Sequence, residues 1–184
     1  MAEGTDAGLT PVKLQSPYDR EDGDVILRSS DGVSYKAHRV ILTIASPVFA
    51  DMFSLPQPTA SHQAAPAPVV DLVESSRTLR ALLDACYPIA DPDLSDLDVV
   101  HQALDAAMKY EMAKPAGLIK RALQDFVASE PLRVFAIACR LHLEEVAKAA
   151  AAQAFSLGIF VLCYPYTPEL DQIPAACYRK LLHY

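Results

Sequence analysis

Between Asp24 and Phe53 the hydrophobic period changes from two residues to about 3.6, and that change restricts the chain more than any other feature. Val25-Ile26-Leu27-Arg28 is a short apolar run that reads as a strand. Ser29-Ser30-Asp31-Gly32 follows, and Asp-Gly between apolar runs is a strong hairpin signal. Val33, Tyr35 and Ala37 then alternate with Ser34, Lys36 and His38, as in a half-buried strand. From Arg39 the pattern is helical, with Val40, Ile41, Ile44 and Ala45 on one face. Ser46-Pro47 interrupts that helix and restarts it at a new angle, because serine is a good N-cap and proline suits a first turn. Val48, Phe49, Met52 and Phe53 make the apolar face of the second helix.

The rest of the chain is mostly helical. Residues 1–22 are polar and read as a flexible tail, and 54–68 form a Pro/Ala-rich loop with no periodicity, expected to be disordered. Val69-Val70-Asp71-Leu72 is a third strand. Ser75 or Ser76 caps a helix with the stripe Leu79, Leu82, Leu83, Cys86 and Tyr87. Ser95 or Asp96 opens a helix with Leu97, Val100, Leu104, Ala107, Met108 and Met112 inside. Pro115 starts the next, and Pro131 opens a further pair broken at His142 and ended by Gly158. A last short helix ends in Leu181 and Leu182. These helix pairs are alike in style, yet no repeat period emerges from the residues.

Charge and composition exclude several classes. Sixteen basic against 23 acidic residues give −7, with no Lys/Arg run, so neither nucleic acid nor an anionic membrane surface is an expected partner. The most apolar run, Ala149 to Tyr164, is interrupted by Gln153, Ser156 and Gly158 and is too short to span a bilayer. Met1 to Gln15 holds no apolar stretch of a secretory signal, so the expected address is cytoplasm or nucleus. Cys86, Cys139, Cys163 and Cys177 have no CxxC spacing and sit among apolar neighbours, which reads as four reduced core thiols.

No residue pattern carries catalysis. His38, His62, His101, His142 and His183 form no HExxH and pair with no cysteine at metal spacing. The G-x-S-x-G elbow and glycine-rich phosphate loops are missing, and Asp19, Glu21 and Asp22 lack the spacing of a calcium loop. The expectation is no enzyme, no metal and no cofactor. One constellation stands out: Asp24 opens the first strand and Arg39 closes the second, so a paired hairpin brings both towards the mouth between sheet and first helix. They are either a structural ion pair or the floor of a partner groove.

Asp24-Val25-Ile26-Leu27, Asp31-Gly32, Tyr35-Lys36-Ala37-His38-Arg39-Val40-Ile41-Leu42, Ser46-Pro47-Val48-Phe49 and Met52-Phe53 together resemble the opening of a BTB/POZ domain. The similarity runs over about 24–128, and the C-terminal stretch with the Pro/Ala-rich loop looks like single-domain fungal members. The resemblance implies an α/β (α+β) fold, a small three- to five-stranded sheet flanked by helical hairpins. The expected domain is 23–128, followed by a helical extension at 129–184. It further implies a non-enzymatic protein–protein interaction module that homodimerises, or pairs with another BTB protein, through its first helix. Such a module acts as a scaffold or transcription co-regulator-type platform. Val40, Ile41 and Ile44 match the dimer face, and Asp24 and Arg39 match the charged partner-binding pocket. The alternative family role is substrate adaptor of a cullin-based ubiquitin ligase. There Leu55 and Gln57 occupy the place of a hydrophobic-x-Glu cullin contact, with Gln for Glu.

Overall fold

The computed structural model describes residues 14, 16–55, 67–158 and 167–182. The chain divides into two compact units, 1–80 and 81–184. Most of the loop expected at 54–68 lies outside the described residues, as does Cys163.

In the first unit, β1 (Val25–Arg28) is central, antiparallel to β2 (Ser34–Ala37) on one side and parallel to β3 (Val69–Asp71) on the other. The register pairs Val25 with Ala37 and Leu27 with Tyr35, which puts all four side chains in the interior. Gly32 closes the turn in the left-handed region, φ 82°, where its amide donates to the Ser29 carbonyl. The described residues thus hold three strands, the lower end of the expected range. α1 (Arg39–Ala45) and α2 (Pro47–Ser54) follow directly. Ser46, fully buried, separates them, and its hydroxyl accepts from the Phe49 amide at 3.1 Å as the N-cap of α2.

The described end of the polar tail expected at 1–22 packs on this sheet. Leu14 bridges Ser34 in parallel, and the Lys36 amide donates to the Tyr18 carbonyl. Tyr18 is 2% exposed, edge-on to Tyr35. Ser34, read as a solvent-side residue, is accordingly buried.

α3 (Ser76–Cys86) crosses the division between the units. Its start is held by Asp31 of the hairpin turn, whose carboxylate accepts from the Ser76 amide at 2.8 Å and hydroxyl at 2.6 Å. The second unit continues with α4 (Leu97–Lys109), α5 (Ala113–Asp125), α6 (Pro131–Arg140), α7 (Glu144–Ser156), a 3₁₀ segment (Pro168–Gln172) and α8 (Ala175–Leu182). Asp96 is the cap of α4. α5 begins two residues before the expected Pro115, which is tolerated because the first turn has no intrahelical use for its amide. Met108, expected inside, is 41% exposed.

The two hairpins α4–α5 and α6–α7 share one turn. Glu111 and His142, 31 positions apart, both sit at left-handed φ, 53° and 55°. The preceding residues Tyr110 and Leu141 have φ/ψ of −89°/8° and −89°/7°. Met112 and Leu143 each donate an amide at 2.8 Å to the carbonyl five residues back, of Ala107 and Ala138. α5 and α7 are both 13 residues long and start 31 positions apart. A repeat that the residues did not reveal is therefore present in the backbone.

Arg133 on α6 ties the second unit together. Its guanidinium bonds Glu169 of the 3₁₀ segment at 2.7 Å, Glu130 at 2.8 Å, and Asp98 of α4. Burial opposes its charge, but the hydrogen bonds to Glu169, Glu130 and Asp98 outweigh that and raise its pKa.

Candidate interaction site

α1 is short and half-covered. Leu42 points inward, whereas Val40 is 63% and Ile44 82% exposed, and Ile41 is half-buried beside them. Exposed β-branched residues on one face of a helix are a poor choice for solvent. As an apolar ridge they suit a partner.

Asp24 and Arg39 are brought together at the base of this helix, but not as an ion pair. The Asp24 carboxylate accepts from the backbone amide of Arg39 at 2.7 Å. His38, at the N-cap position, makes no side-chain cap bond, so Asp24 from β1's entrance caps α1 in its place. The Arg39 guanidinium turns elsewhere, 5.3 Å from the Phe53 ring centroid, and its Nε is buried without a hydrogen-bond partner. Phe53 is itself stacked on Phe49, so the cation rests on a fixed aromatic floor. The expectation of a structural ion pair is thus replaced by a cap and a cation–π contact. Nothing in the local sequence signals a cap 15 residues before the amide it serves.

Asp22 and Arg20 flank the site in an exposed bidentate pair at 2.9–3.0 Å, and the Arg20 hydrogen bond holds the Asp22 carboxyl at about 2. His38 Nε2 lies 3.4 Å from the same carboxylate. At the end of α2, Leu55 is 63% exposed, while Gln57 lies outside the described residues.

The second unit holds a cleft of about 470 Å³ with walls from Phe135, Leu143, Ala147 and Leu181, and the Cys139 and Cys177 side chains also line it. Lys148 at its edge is paired with Glu144 at 2.8 Å. The three described cysteines are half-buried rather than core residues, and burial pushes the Cys86 thiol up to about 11, which leaves it unreactive. Among the described residues no group of three or more His, Cys, Asp or Glu side chains could hold a metal ion, and no helix is long and apolar enough to cross a membrane.

No curated protein matches the chain. Among solved structures, the BTB domain of zebrafish PATZ1 is similar at 21% identity, with a TM-score of 0.43, covering 56% of this chain and 76% of that one. The BTB/POZ domain family model matches residues 15–126, a span that begins at the segment docked on β2 and ends just past α5. That match takes in more than half of the sequence, the hairpin, the α1 ridge and the Asp24–Arg39 site, and with it the chain belongs to the BTB/POZ family, whose domain is a protein–protein interaction module.

Proposed function

We propose that the protein is a non-enzymatic interaction module that homodimerises through α1 and presents the Asp24–Arg39 site to a further partner, as a scaffold or co-regulator-type platform in cytoplasm or nucleus. The observation that carries this reading is the exposure of Val40 and Ile44 on a helix whose Leu42 is fully buried. A stable dimer buries about 800 Å² on each partner. Seven helical residues are only about 10 Å long, so the α1 ridge is the centre of the contact and neighbouring surface supplies the rest. Arg39, only partly buried, holds its guanidinium on an aromatic floor beside this ridge, a charge suited to a partner's carboxylate or carbonyl.

Light scattering on the purified chain tests the reading. A dimer is expected, and Ile44→Asp is expected to return it to the 20.0 kDa monomer without loss of helical circular dichroism. A wild-type chain that stays monomeric at high concentration overturns it. Exposed Leu55 supports a second reading, an adaptor that docks a cullin beyond α2. Capture of a cullin N-terminal domain by the wild-type chain, lost in Leu55→Asp, is the expected result for that role, and no capture removes it.

A further inference from the structure

The segment Ser16–Asp22 is anchored to its own chain by contacts with different parts of the first unit. The Lys36 amide donates to the Tyr18 carbonyl at 2.8 Å, and the Lys36 ammonium to the Glu21 carbonyl at 2.9 Å. Arg80 on α3 donates to the Ser16 carbonyl at 3.0 Å and lays its guanidinium 5.5 Å from the Tyr18 ring centroid. The Tyr18 ring lies 5.9 Å from that of Tyr35, at 74°. Tyr35 is fixed in turn, its hydroxyl donating to the Ser76 carbonyl at 2.7 Å.

The return into β1 is tight. Gly23 donates to the Arg20 carbonyl, and Asp24 to the Ala37 carbonyl at 3.0 Å. A Cβ at Gly23 would stand 2.8 Å from Lys36 Cγ and 3.0 Å from the Ala37 oxygen, so the backbone passes where only glycine fits. A link this short gives docking in the same chain a high effective concentration. To reach another chain, the stretch from Tyr18 to Asp24 spans about 20 Å at full extension and would have to give up the Gly23 turn.

We propose that residues 16–22 are an intrachain strap that closes the outer edge of β2, so that two copies of this chain meet through their α1 faces without exchanging N-terminal segments. The absence of exchange rests on the dimer reading above; the strap itself does not. An unpaired strand edge invites pairing with another chain, and the strap denies that edge to a second copy.

An isotope-filtered nuclear Overhauser experiment on a mixture of labelled and unlabelled full-length chain decides it. A Tyr18–Tyr35 ring cross-peak is expected within one chain and not between chains. A cross-peak between chains, or none in either experiment, overturns the proposal. Tyr18→Ala and a chain lacking residues 1–22 give a second measure. A dimer affinity within about threefold of wild type is expected from independent sites, and loss of the dimer in a variant that still folds overturns it. Should the full-length chain itself be monomeric, the dimer reading falls, and the cross-peak within one chain still supports or overturns the strap.

Discussion

Asp31 and Ser46 show how much single side chains hold at the seams between elements. Ser46 is buried at the break between two helices, and Ser46→Ala is expected to cost about 1 kcal/mol, measured by urea denaturation. Asp31 ties the hairpin turn to the start of α3, and hydrogen bonds from Ser29 and Ser76 hold its carboxyl at about 2. A carboxyl held below its unfolded value adds stability that is present above about pH 4 and is lost as pH falls towards 2. The stability difference between wild type and Asp31→Asn is therefore expected to shrink steadily over that window. Burial, then the neighbouring Arg140, lowers the pKa of His101, so the neutral ring is favoured in the folded chain. The sign is the same: stability falls as pH drops below about 6.5, and His101→Gln is expected to flatten that slope in titrated melts. Ser46-Pro47 was legible in sequence because a cap and its helix are adjacent. Asp24 and Asp31 were not legible as caps, because they serve amides 15 and 45 residues away and only folding brings them there.

At the scale of elements, the change of period between Asp24 and Phe53 located β1, β2, α1 and α2 almost to the residue, since alternation and helical stripes are local. The 31-residue relation between hairpins escaped the same reading because its matched positions differ in size: buried Ile119 and Leu123 of α5 correspond to Ala150 and Ala154 of α7. What repeats is backbone, a left-handed residue between two helices, and neither turn uses glycine. A side chain in that region costs on the order of 1 kcal/mol over glycine. Glu111→Gly and His142→Gly are each expected to raise the melting temperature, and to do so additively, as scanning calorimetry on both single variants and the double variant would measure. Tyr18 defeated sequence reasoning for another reason. Its neighbours are polar, and the partners that bury it, Tyr35 and Arg80, come from distant parts of the first unit.

Over the whole molecule, charge works against self-association, since each copy carries −7. The affinity of the proposed dimer, measured by sedimentation, is therefore expected to strengthen as salt rises, because screening weakens the repulsion between copies while apolar burial at the proposed α1 contact is little affected. Arg133 acts at the same scale, joining the 3₁₀ segment to α4 and α6. Arg133→Met strands Glu169, only 6% exposed, without its cation, and a loss of at least about 2 kcal/mol is expected, with faster proteolysis of residues 167–182. The central strand has one further consequence. β1 lies parallel to β3, and Ile26 pairs with Val69, 43 positions further along the chain. While the chain is being made, the opening ribbon must wait half-matched on the ribosome until Asp71 has cleared the exit tunnel. The stretch that joins them thus sets how long a sticky, unfinished fold is shown to the cell's chaperones, and lengthening it should raise dependence on them before it alters the finished protein.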